Sequence, residues 1–143
     1  MRFTAEQERD IALDICAAEA RALEAVRDIS VAQEELTRRP KRAERTKAGA
    51  VERLEAAVRA AKAASQEDPD IRPSVQMAEA ALADSERLRW RLAMSAKHIA
   101  RGEARKLVSS LMGEEDLVQE GQIGLLRAAR RYDPERGLSL IHI

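Results

Sequence analysis

Apolar positions recur along this chain at three- and four-residue steps over long stretches, the spacing of helices that bury one face. Ile11, Ile15, Ala18, Ala22, Val26 and Ile29 make the first stripe. Thr4, with Gln7 three residues on, gives a capping-box start, so a helix is predicted from about Ala5 to Leu36. Pro40 ends it, because proline has no N–H to donate and disfavours helix in the residue before it. A second stripe, Val51, Leu54, Val58 and Ala61, predicts a helix over Ala43 to Ser65. A third helix is predicted from Ser74 towards Leu107, with a weak point at Gly102. Leu82, Ser85, Leu88, Leu92, Ser95 and Ile99 follow a near-heptad spacing there, and Trp90 and Met94 are expected to widen its apolar arc.

The last helical stretch differs from the others. Glu114, Glu115 and Asp116 favour a helix start, Arg127, Arg130 and Arg131 a helix end, and Pro134 and Gly137 a stop. At about 100° per residue, Leu117, Val118, Gly121, Leu125, Ala128, Ala129 and Tyr132 share the face expected to be buried. The opposite face carries Asp116, Gln119, Arg127 and Arg130, but also Ile123 and Leu126. Two large aliphatic side chains on a face that should be polar predict a docking surface.

Composition narrows the fold. Only Phe3, Trp90 and Tyr132 are aromatic, charged residues make up 35%, and six glycines and four prolines are too few for a many-turned β architecture. The prediction is all-α, a bundle of long helices: a helical hairpin over residues 1–72, then a second helical domain over 73–137. Gln66 to Pro73 (QEDPDIRP) reads as the linker, and 138–143 (LSLIHI) as an anomalous tail or a chain cut short.

The net charge is zero but unevenly placed. Residues 5–35 hold nine acidic and three basic side chains, residues 37–64 nine basic and three acidic, which would suit antiparallel packing of the first two helices. The basic run Arg38, Arg39, Lys41, Arg42, Arg45 and Lys47 reads first as solvated or helix-paired. The other reading is contact with DNA phosphate, without sequence specificity because no base-reading group is interleaved. The lone Cys16 excludes an internal disulfide and reads as a small core filler. With no signal segment and no long apolar run, a cytoplasmic protein is expected, with no membrane partner.

No catalytic constellation, cofactor motif or metal-ligand spacing is present, and no small-molecule substrate is expected. His98 reads as surface, His142 belongs to the tail, and Asp116 with Glu120 reads as part of an interaction patch rather than an acid–base pair.

The segment Asp116-Leu117-Val118-Gln119-Glu120-Gly121-Gln122-Ile123-Gly124-Leu125-Leu126-Arg127-Ala128 resembles the D-L-I-Q-E-G-N-I-G-L-M-R-A signature of bacterial RNA polymerase sigma factors of the sigma-70 family. Tyr132 to Gly137 is similar to the F-D-P-E-R-G that follows it in that family, and Arg91 to Ser95 resembles the R-L-V-V-S of the preceding helix. Phe3 to Glu8, with Ile11 and Ala12, resembles the L-T-x-E-E-E pattern found upstream.

The resemblance implies a factor for transcription initiation, not an enzyme. Its main dock would be onto the clamp helices of the largest subunit of RNA polymerase core. The docking residues carried over by position are Asp116, Gln119, Glu120, Gln122 and Leu126, and the face analysis adds Ile123. Residues 37–75 would be a variable spacer. In the family, an F-S-T-Y-A stretch and an aromatic helix that melts the promoter follow Arg-Gly. Leu138-Ser139-Leu140 stands there instead, so promoter DNA is expected as a partner of the complete protein only. The alternatives are a helical protein–protein adaptor, or a truncated sigma-like inhibitor that occupies the polymerase clamp.

Overall fold

The computed structural model describes residues 3–96 and 113–131, with the backbone alone described at 114–118 and 131. Among these residues there are five α-helices, two 3-10 turns and no strand, so the fold is all-α. The helices are α1 (Ala5–Val26), α2 (Ser30–Thr37), α3 (Lys47–Ala64), α4 (Arg72–Ser95) and α5 (Glu114–Arg131). The predicted turn at 108–112, the weak point at Gly102, His98 and the 132–143 segment lie outside the described residues.

The chain divides into two compact units, one formed by residues 14–86 and the other by 1–13 with 87–143. The core of the first is built from small side chains: Ala22, Val26, Ala32, Leu54, Ala57, Val58, Ala61, Val75, Ala78 and Ala81. With alanine at most of these positions the helices must approach closely, since distant helices would leave voids that cost packing energy. All four stripe residues of α3 are buried, as their spacing predicts.

Helices α3 and α4 run antiparallel around the turn that joins them. Lys62 Nζ lies 3.1 Å from Glu79 Oε2, and Arg72 Nε donates to the Ser65 carbonyl at 2.9 Å. The Gln66 to Pro73 segment therefore folds as a tight turn within this unit, where Asp68 accepts from the Asp70 N–H and Pro69 opens a 3-10 turn.

Three local expectations need correction. The helix predicted from Ala5 to Leu36 is broken: α1 stops at Val26, and Ile29 is extended (φ −83°, ψ 123°) before α2 begins. Asp28 and Ser30 flank the break, and such side chains compete for backbone groups and favour helix ends. The second helix starts at Lys47 rather than Ala43, because Thr46 caps it by accepting the Gly49 N–H at 3.0 Å. Residues 42–44 form a separate 3-10 turn.

The third correction concerns α4. Its heptad positions Ser85, Leu92 and Ser95 are buried, but the buried arc widens towards Arg89, Ala93 and Ala96. Trp90 is 52% exposed. At about 100° per residue it points roughly 140° away from Ser85, across the helix from the core. Small Ala93 and Ala96 let a neighbouring backbone come close, which an indole on that side would prevent.

In the other unit, the Thr4–Gln7 capping box forms in both directions: the Thr4 N–H donates to Gln7 Oε1 at 2.8 Å and the Gln7 N–H to Thr4 Oγ1 at 3.1 Å. Ile11, Ala12, Leu92, Ala93 and Ala96 are buried there, together with Glu8 and Arg89. Every buried polar side-chain atom among the described residues has a hydrogen-bond partner, as the cost of leaving one unsatisfied requires. Cys16 is half-buried rather than a core filler, with Lys47 Nζ 3.9 Å from its sulfur and 3.4 Å from Glu19 Oε2.

Candidate functional site: the outward face of α5

Helix α5 begins at Glu114 and ends at Arg131, the bounds that the acidic start and basic end predict. Its side chains are described from Gln119 to Arg130. Ala129 is buried, and Gly121, Leu125 and Ala128 are half-buried. These four lie on the face that the sequence assigns to the interior.

The open face is made by Gln119, Glu120, Ile123, Gly124 and Arg127, all exposed. In helical projection they span about 140°, from Gln119 at one edge to Gly124 at the other, with Ile123, Arg127 and Glu120 between them. Ile123 is 44% exposed, a large aliphatic side chain in the middle of a polar strip. Burying such a side chain is worth about 1.5–3 kcal/mol, so leaving it in water favours a partner that covers it.

The other sequence-predicted residues distribute unevenly around this face. Gln119 and Glu120 are fully on it. Leu126 is half-buried at one margin, where part of its side chain supports the helix and part remains accessible. Gln122 is also half-buried, and its direction is closer to Ala129 than to Ile123. The Asp116 side chain lies outside the described set, and only its place in the first turn of α5 is given. Each of these residues is held by one helix, so their spacing along the surface is set by helix geometry rather than by loop conformation.

Gly124 is absent from the sequence-predicted set. It sits at one edge of the open face, and a Cβ built there meets nothing within 4 Å. Glycine inside a helix costs about 1 kcal/mol relative to alanine, and no neighbour among the described residues demands it. A flat spot beside Ile123 lets another backbone approach α5 closely. The signal was available in the sequence as a glycine within a helical pattern, but only the empty space around it separates a contact role from internal packing.

No group of three His, Cys, Asp or Glu side chains that could hold a metal occurs among the described residues. Nor is any described helix long and apolar enough to cross a membrane.

The family described as Sigma-70 region 2 matches residues 92–140. Over these residues the chain is similar to sigma-70 region 2. The match begins at buried Leu92 in α4 and takes in all of α5, so the open face lies within it. A sigma-70 region 2 carries a sigma-factor-like role in transcription initiation and implies binding to RNA polymerase core. No curated protein and no solved structure matches the chain.

Proposed function

We propose that this chain is a sigma-70 family factor that docks on RNA polymerase core through the open face of α5. Gln119, Glu120, Ile123 and Gly124 take part in the contact, together with Asp116, Gln122 and Leu126. The surface it meets is the clamp helices of the largest subunit. Within this reading, residues 88–137 carry the region 2-like part and 37–75 are a variable spacer. The chain works as a binding factor in the cytoplasm, not as an enzyme.

The observation that carries the proposal is Ile123, exposed beside the unfilled space at Gly124, inside the segment matched by the family. An aliphatic anchor next to a flat backbone suits helix-on-helix docking, where ridges of one helix enter grooves of the other. The polar side chains around it supply hydrogen bonds at the rim, and a few central residues carry most of the energy.

The test is core binding by the double variant Gln119→Ala/Ile123→Ala. Both side chains are exposed, so the helix should keep its content by circular dichroism. Loss of these two contacts is expected to cost roughly 1–3 kcal/mol each, a weakening of about 30-fold to 10,000-fold for the pair if the two costs add. Wild-type affinity in the double variant, with the fold intact, would reject the assignment of this face.

A further inference from the structure

The segment between α2 and α3 carries six basic side chains and one acidic one within residues 38–47, and the proposed polymerase contact uses none of them. Its charges are sorted in an unusual way. The single acid, Glu44, is consumed internally: Arg38 Nη2 and Nη1 donate to its two oxygens at 2.8 and 3.2 Å, and the Lys41 N–H donates at 3.1 Å. These contacts hold the Glu44 carboxyl down to about pKa 2, with the Arg38 hydrogen bond the largest cause. Lys47, at the other end, is placed against Glu19.

What remains is Arg39, Lys41, Arg42 and Arg45, all exposed. Among the described residues none of the four side chains makes an ion pair. They ride on a backbone that is fixed rather than loose. The Arg38–Glu44 fork closes the turn, residues 42–44 form a 3-10 turn, and buried Gly49 lets the Glu44 backbone lie so close to α3 that a Cβ would overlap its carbonyl. A solvated charge run needs none of these devices. A turn that neutralises its only carboxylate and holds four cations outward is preorganised for a polyanion.

We propose that this turn binds the phosphate backbone of double-stranded nucleic acid, without reading sequence. Three of the four cations are arginines, whose planar forks match phosphate oxygens. The segment has no aromatic or large aliphatic side chain to anchor it in a lipid surface. The choice of nucleic acid among polyanions rests on the transcription role; the cationic surface itself does not.

The experiment is fluorescence anisotropy of the full chain on a dye-labelled 30-base-pair duplex of arbitrary sequence, from 50 to 200 mM NaCl. The comparison is the variant Arg39→Gln/Lys41→Gln/Arg42→Gln/Arg45→Gln. If each cation neutralises one phosphate, log K falls against log salt with a slope of about −3 to −4, roughly a hundredfold over that range. The variant should lose at least tenfold in affinity at 50 mM and most of its slope, with helix content unchanged. Single variants at Arg39 or Arg42 should each reduce the slope by about 1.

Three results would overturn the proposal: no duplex binding by the wild type at 50 mM salt, a variant slope equal to that of the wild type, or binding to vesicles containing anionic phosphatidylglycerol but not to the duplex. Core polymerase binding is measured in parallel on the same two proteins. Loss of duplex binding with core binding intact separates the turn from α5, and failure of wild-type core binding alone would count against the α5 reading only.

Discussion

Glycine-to-alanine substitution should have opposite effects at two positions of this chain, and at one of them opposite effects on folding and on function. Gly124 lies in mid-helix, exposed, with nothing within 4 Å of the place a Cβ would take. Alanine there restricts the unfolded chain and meets no neighbour, so it should stabilise α5 by about 0.5–1 kcal/mol. On a unit of this size that corresponds to a rise in melting temperature of roughly 2–5 °C. The same methyl group would stand within the proposed contact, on the Gly124 side of the face. It would hold a closely packed partner off, and overpacking of a fitted surface costs about 1–3 kcal/mol. The affinity for core polymerase should therefore fall by between about fivefold and 150-fold while the protein becomes more stable. A thermal melt by circular dichroism and a competition titration against labelled core give the two readings. A more stable Gly124→Ala variant with unchanged affinity would refute the claim that a partner approaches this spot. Loss of both stability and affinity would mean that the glycine serves internal packing instead.

At Gly49 the sign reverses. A Cβ there would overlap the Glu44 carbonyl, and the atoms in the way belong to backbone that cannot swing aside. Gly49→Ala should destabilise by about 1–3 kcal/mol despite the better helix former, read in a denaturant titration. Thr46→Ala removes the oxygen that accepts the Gly49 N–H at 3.0 Å and should cost about 1 kcal/mol in the same assay. Leu92, fully buried where the family match begins, should cost about 2–5 kcal/mol when replaced by alanine. The Glu44 carboxyl, held down to about pKa 2, should stay ionised through the ordinary carboxylate range. Because its folded value is depressed, its contribution is complete above about pH 4.5 and is lost as pH falls towards 2. A carboxyl-carbon NMR titration should follow this, and Arg38→Gln should bring the midpoint back up.

Much of the helical frame was legible because burial in a helix repeats at a fixed angle. The α3 stripe of Val51, Leu54, Val58 and Ala61, the Thr4–Gln7 box and the bounds of α5 all depend on interactions within one helix. The break at Ile29 was not legible, because Val26, Ile29, Ala32 and Leu36 keep helical spacing whether or not the axis is interrupted. Neither was the direction in which the buried arc of α4 widens. Arg89 and Trp90 are adjacent, and hydrophobicity alone favours burying the indole. The structure buries Arg89 to 2% exposure and leaves Trp90 outside, because the arc follows Ala93 and Ala96 and their room for a close neighbour. On α5 the exposed aliphatic Ile123 could be read from periodicity, since it interrupts a polar face. Gly124 could not, because the value of a missing side chain depends on what surrounds it. The same holds for the basic turn, where six cations in sequence do not reveal which of them the fold has already paired.

The central claim is that the face carrying Ile123 and Gly124 meets the largest subunit of polymerase. A photo-crosslinking amino acid placed at Ile123 tests it most directly, with a second placed at exposed Met77, outside the family match, as the reference. On irradiation of the chain with core polymerase, position 123 should give a crosslink to the clamp helices of the largest subunit, and position 77 should give none there. A complex that forms with full affinity but gives no crosslink to that subunit from position 123 would contradict the account.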